Sequence, residues 1–98
     1  MSLPNSIFIE SREWFDKSGG NSYFSSRVSV DGQFLYASGM TYGYETQHIH
    51  EALTELYKRG IITADLSTPY KVRQAGIALY VVKYDTPKRE LFTKEEAN

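Results

Sequence analysis

His48, His50 and Glu51 stand together in an amphipathic stretch and are the first residues to weigh for metal or acid–base chemistry. On a helix, positions i and i+2 project about 200° apart, so the two imidazoles cannot share one ion. His48 and Glu51, at i and i+3, make half of a site, and no third ligand is spaced to complete it. The expectation is two solvated helix histidines and no bound metal. A serine–histidine–aspartate set has no Gly-x-Ser-x-Gly elbow to carry its nucleophile. Ser18-Gly19-Gly20-Asn21 lacks the lysine and the following helix of a phosphate loop, and reads as a hairpin connection. These patterns point away from an enzyme and call for no cofactor.

The remaining chemistry is that of contact surfaces. Tyr42-Gly43-Tyr44 precedes the helical stretch, with Gln47 one turn in. Gly43 permits a sharp bend, and the two rings flank helix N-terminal amides that can receive an anion or a carbonyl. The plainer role for these rings is as staples fixing the helix to a sheet. Tyr42, Tyr44 and Gln47 are retained as candidate contact residues. A second set comes from the hairpin Asn21–Met40. Asp31-Gly32 signals a two-residue turn with positive φ at both positions. That turn pairs Val30 with Gln33, Val28 with Leu35 and Ser26 with Ala37 on one face. The other face pairs Ser29 with Phe34, Arg27 with Tyr36, and Tyr23 with Met40. Tyr23, Arg27, Phe34 and Tyr36 are therefore expected on a surplus face, able to stack bases or to anchor a protein partner. An internal cation–π pair between Arg27 and Tyr36 is the simpler use of that arginine.

The elements that must position these residues follow from periodicity. Ile7–Phe15 reads as a strand with Ile7, Ile9 and Phe15 on one face and Phe8 and Trp14 on the other. Ser22–Val30 and Gln33 to about Met40 complete an antiparallel meander. Ile49, Ala52, Leu53, Leu56 and Tyr57 form one helical stripe, predicting a helix over Glu45–Arg59 with Gly60 as its stop. Thr63–Gln74 is polar and aperiodic and reads as a crossing loop, with an extended piece near Tyr70–Val72. Ile77–Tyr84 is apolar on both faces and reads as a central strand. The expected fold is α+β: an antiparallel sheet of about four strands, β-β-β-α-β, with one helix packed on one face. Residues 1–92 form the single domain and 93–98 a polar, frayed tail, although Leu91 and Phe92 can tie down a short element.

Composition narrows the partner classes. The 98 residues carry a net charge of −1, with 11 basic against 12 acidic side chains. Nucleic-acid binders that work by electrostatics usually show a basic excess, so protein contact ranks above nucleic acid. Eight tyrosines, five phenylalanines and one tryptophan supply interface-type side chains. No cysteine is present, which removes disulfides and thiolate sites and suits the cytosol. Met1-Ser2-Leu3-Pro4 opens no basic region and apolar core, so no secretory leader is expected. No apolar run reaches the roughly 18–20 residues that span a bilayer.

One pattern extends beyond single motifs. The run Trp14-Phe15-x-x-x-Gly19-Gly20-Asn21-Ser22-Tyr23-Phe24-Ser25-x-Arg27-Val28-x-Val30-x-Gly32, followed by Tyr42-Gly43-Tyr44-x-x-Gln47 and a helix, resembles small accessory proteins of bacteriophages and prophages. Those share an Asn-x-Tyr hairpin and a Tyr-Gly-Tyr helix entrance, and the resemblance covers roughly residues 12 to 56. It implies a viral product of the host bacterial cytosol that binds host defence machinery, including CRISPR effector complexes, as an inhibitor. The expected partner is a host defence protein, and a homodimer through the surplus sheet face is expected alongside it. A single-stranded nucleic-acid-binding module and a purely structural homodimer are the alternatives.

Overall fold

The computed structural model describes residues 2–97. Its strands are β1 (Ser6–Asp16), β2 (Asn21–Val30), β3 (Gln33–Ala37), β4 (Thr41–Tyr42), β5 (Ala78–Asp85) and β6 (Glu95–Glu96). Its helices are α1 (Gln47–Lys58) and α2 (Pro69–Gln74). The fold is α+β, and the sheet is mixed, in the order β5-β1-β2-β3-β6, with β4 paired to β2. An all-antiparallel sheet is thereby corrected. β1 and β5 run parallel, in register from Ser6 with Ala78 to Glu13 with Asp85. After β4 the chain crosses one face through both helices and re-enters beside β1, and such a crossover delivers a strand in the same direction. β5 consequently sits at the sheet margin, not at its centre, and β1 holds the interior place.

The turn between β2 and β3 forms as its residues dictate, with Asp31 at φ 51° and Gly32 at φ 79°. The Asp31 carboxylate adds a clasp, accepting the N–H groups of Asn5 at 2.7 Å and Ser6 at 3.0 Å. The register then departs from the regular ladder. Ser29 faces Phe34, but Val28 faces Tyr36 and Arg27 faces Ala37. Leu35 is the extra residue of a bulge, and one extra residue turns every later side chain to the opposite face. Tyr36 therefore enters the helix-side core, 6 % exposed, instead of lying on the surplus face beside Arg27. Tyr23 faces Tyr42, not Met40, because the chain turns after Ala37 and pairs again only at β4.

The core lies between the sheet and α1, and Ile7, Ile9, Val28, Leu53, Leu56 and Val72 are fully buried in it. Burying each such aliphatic side chain contributes about 1.5–3 kcal/mol. The buried stripe of α1 is His48, Ala52, Leu53 and Leu56, while Tyr57 is half exposed. His48 is thus a core-facing residue, against the expectation of a solvated one. Gly60, at φ 77°, stops the helix, and Ile61 donates its N–H back to Leu56 at 3.0 Å.

Within the expected crossing loop, Thr68 accepts the Lys71 N–H at 3.3 Å and Pro69 occupies the first turn of α2. That Thr-Pro pair is a helix-start signal, and it outweighs the missing period in so short an element. The expectation of a frayed tail fails for residues 93–97. Tyr36 and Ala37 pair with Glu96 and Glu95, and Glu96 bridges to Arg59 at 2.6 Å. Arg59 also meets Glu55 at 2.9 Å and lies 4.5 Å over the Tyr36 ring. Burial and the Glu55 charge push the Tyr36 phenol well above its usual range, so this ring stays neutral in the core.

Candidate functional site: the open sheet face

Both helices lie on one face of the sheet, and the register places specific side chains in rows across the other. Phe34, Ser29, Phe8 and Tyr80 form the first row, from β3 to β5. Arg27, Glu10 and Val82 form the second, and Ser25, Arg12 and Tyr84 the third. The fourth is Tyr42, Tyr23 and Trp14. Its rings pack on one another: Trp14 stacks on Tyr23 at 5.5 Å, and Tyr42 meets Tyr23 edge-on at 5.8 Å.

The C-terminal segment straps part of this face. Leaving β5, it passes Trp14, where the Lys88 ammonium lies 5.3 Å from the ring, and makes a single 3₁₀ turn at Lys88–Glu90. Arg12 donates through Nη1 to the Glu90 carbonyl at 2.7 Å, and its guanidinium covers the Phe92 ring at 4.1 Å. The Phe92 N–H donates to Ser25 Oγ at 2.7 Å, which accounts for the burial of a serine on this face. Arg27 lies 4.5 Å over Phe34 and 5.8 Å from Phe92, so its aromatic partner is Phe34 and not Tyr36. The strap then reaches β3 and ends as β6.

The unstrapped part of the face is aromatic. Phe8 is 39 % and Tyr80 60 % exposed, adjacent on β1 and β5, and Tyr84, 51 % exposed, stands two rows further along β5 beside Arg12. Of the residues chosen from sequence, Tyr23 and Tyr42 meet, and so do Arg27 and Phe34. Tyr44 and Gln47 are exposed at the entrance of α1, and Tyr36 lies on the opposite side of the sheet. Phe8, Tyr80 and Tyr84 are new to the set. Their alternation was readable within each strand, but only the parallel pairing of β5 to β1 puts them on one face and makes Phe8 and Tyr80 neighbours.

Both arginines on this face are already engaged by aromatic rings, and Arg12 by a carbonyl as well. A phosphate would have to compete with those contacts. Among the described residues no group of three or more His, Asp or Glu side chains is placed to hold a metal ion. No helix among them is long and apolar enough to cross a membrane.

At the α1 entrance, Glu45 holds a left-handed φ of 58°, and the Thr46 side chain makes no capping bond. Lys83 Nζ ties this bend to the sheet, donating to the Glu45 carbonyl and to Glu13 Oε2, each at 3.2 Å. The His48 ring packs edge-on to Phe24 at 6.3 Å. Burial, then the charge of Lys83, hold its pKa below the ordinary value. The unfolded chain protonates this imidazole as pH falls through about 6.5, whereas the folded chain resists until lower pH. Its contribution is complete above that value and is lost as pH drops toward the folded pKa. Urea midpoints measured down to pH about 5 are therefore expected to fall less for His48→Gln than for the wild type. Parallel curves for wild type and His48→Gln would remove His48 from the acid limb.

Comparison with protein-family models, with curated proteins and with solved structures finds no match to this chain.

Proposed function

We propose that this chain is a non-enzymatic accessory protein of the bacteriophage or prophage type, acting in the bacterial cytosol by stoichiometric contact with a host defence protein. The observation that carries the contact reading is the exposure of Phe8 and Tyr80 side by side, with Tyr84 exposed two rows further along β5 on the same face. Exposed rings sharing one sheet face are what a partner surface buries, and tyrosine is a preferred anchor in such interfaces. Protein contact is favoured over single-stranded nucleic acid because the net charge is −1 and the arginines of the face are spent internally. The defence target, a CRISPR effector complex being the leading class, comes from the resemblance over residues 12 to 56.

Plaque assays on bacteria carrying an active CRISPR system test this reading directly. Expression of the wild type is expected to restore phage plating, and Tyr80→Ala with Tyr84→Ala is expected to abolish that restoration. Binding of the double variant to the purified effector should weaken about 30-fold or more, the loss of roughly 2 kcal/mol typical of an aromatic anchor. Its melting temperature should stay near wild type, since both rings are exposed. A double variant that binds and protects as well as the wild type removes the face from the function. A wild type that neither protects nor binds removes the defence target.

A further inference from the structure

β5 is the long margin of the sheet, and its backbone shows which groups face outward. Ala78 and Thr86 donate their N–H groups to Asn5 O at 3.0 Å and Glu13 O at 2.7 Å. In a parallel pair, alternate residues turn both backbone groups to the same neighbour. The even-numbered residues of β5 therefore bond β1, and Leu79, Val81, Lys83 and Asp85 point their N–H and C=O groups away from the sheet. The position of Arg73 agrees with this phase, since its Nη2 reaches the Leu79 carbonyl at 3.3 Å. Among the described residues, the outward groups of Val81 and Lys83 have no partner.

Long sheet margins are usually blunted by proline, bulges, short length or charge. The opposite margin is blunted in this way, because β6 is two residues long and consists of Glu95 and Glu96. β5 has eight residues, no proline and a regular register against β1. Its one lysine, Lys83, is drawn to Glu13 and the Glu45 carbonyl of its own chain.

We propose that β5 pairs antiparallel with β5 of a second copy, centred on Val82, joining two sheets into one. The phase of the outward groups dictates the geometry. Hydrogen-bonded pairs must join odd residues to odd residues, so even residues also oppose even residues. Both open faces then lie on the same side of the joint sheet.

Three symmetric registers overlap the middle of β5. Centring on Lys83 sets two ammonium groups directly opposite, a repulsive arrangement. Centring on Val81 bonds only Val81 to itself unless Leu79, opposite Lys83 of the second copy, gives up its bond from Arg73. Centring on Val82 bonds Val81 to Lys83 of the second copy, and the reverse, through groups that are free; Leu79 faces Asp85 of the second copy only at the outer ends of that ladder, where its bond from Arg73 can stay. It also sets Tyr80 against Tyr84 of the second copy and Val82 against itself, so the exposed rings meet across the axis. A two-fold partner of identical sequence satisfies every one of these contacts. The inference needs nothing from the defence reading.

The natural chain has no cysteine, which makes the register directly testable. At a non-hydrogen-bonded antiparallel pair the Cα atoms lie about 4.5 Å apart, within the range a disulfide bridges. Val82→Cys is expected to form a covalent dimer rapidly under mild oxidation, while Ser18→Cys at the hairpin turn is not. Light scattering on the wild type should give twice the chain mass, and Val82→Lys should give a monomer that keeps its fold by circular dichroism. Hydrogen exchange should show Val81 and Lys83 amides protected at high concentration and exposed on dilution. A wild-type monomer at high micromolar concentration overturns the proposal. So does a dimer in which those amides exchange freely, the sign of face-to-face packing, or a Val82→Cys that oxidises no faster than Ser18→Cys.

Discussion

Gly43→Ala is expected to cost about 1–3 kcal/mol of folding stability, the range for forcing extra volume into a packed interior. A Cβ at this position would stand 2.7 Å from Cε1 of Phe24 and 2.8 Å from Oε1 of Gln47. Gln47 is exposed and can swing away. Phe24 cannot, because it is 2 % exposed and its ring is held edge-on by His48. Relief must come from the backbone, and Gly43 is anchored there by its N–H bond to the Ser22 carbonyl at 3.1 Å. Urea unfolding of Gly43→Ala, alone and with Phe24→Leu, measures this. The smaller side chain should recover part of the loss, so the two costs should sum to more than the double variant shows. A Gly43→Ala midpoint equal to the wild type would show that this close approach carries no stability.

Phe92→Ala is expected to remove about 2 kcal/mol and to loosen the strap without unfolding the helix layer. The side chain is half-buried, so its apolar contribution falls short of the roughly 3 kcal/mol upper value for a fully buried ring. Its cation–π contact with Arg12 adds about 0.5–2 kcal/mol. For a chain of this size the melting temperature should drop by roughly 8–16 °C. Phe92→Leu separates the two contributions, since it retains burial and loses the cation–π contact. A double-mutant cycle with Arg12→Gln should then show coupling near 1 kcal/mol. Additive effects would mean that Arg12 holds the strap through the Glu90 carbonyl alone. Hydrogen exchange at Glu95 and Glu96 provides the second readout, because loosening at Phe92 should release their pairing with β3.

Local rules made much of the fold readable. Asp31-Gly32 specified its turn, Gly60 ended its helix, and the alternation in β1 placed Ile7 and Ile9 inside and Phe8 outside, although Phe15, expected with the inner pair, is 54 % exposed. The misreadings share a different cause. Phe34, Leu35, Tyr36 and Ala37 are all apolar, so the hydrophobic pattern accepts either phase, and a bulge there leaves no trace in composition. The direction of β5 depends on where a crossover re-enters the sheet, which no local pattern encodes. Residues 93–97 are polar and look like solvent-facing chain. Their order comes from long-range contacts, namely Arg59 with Glu96 and the backbone of Tyr36 and Ala37. The candidate site was legible to the same extent: Tyr23, Tyr42, Arg27 and Phe34 could be found within a hairpin and its exit. Phe8, Tyr80 and Tyr84 required the sheet order.

The parallel pairing of β1 with β5 also sets a timetable. β1 leaves the ribosome first, and β2 and β3 can fold onto it as soon as they emerge, through contacts close in sequence. The other side of β1 must wait for β5, which follows both helices in the chain, and such long-range closure is the slow part of folding. Until then the nascent meander carries a bare inner strand and an uncovered apolar face, the state most prone to wrong association. The strap follows β5 in the chain, so it cannot lock before β5 docks. Its crossing back to β3 joins residues made after β5 to the earliest structure formed.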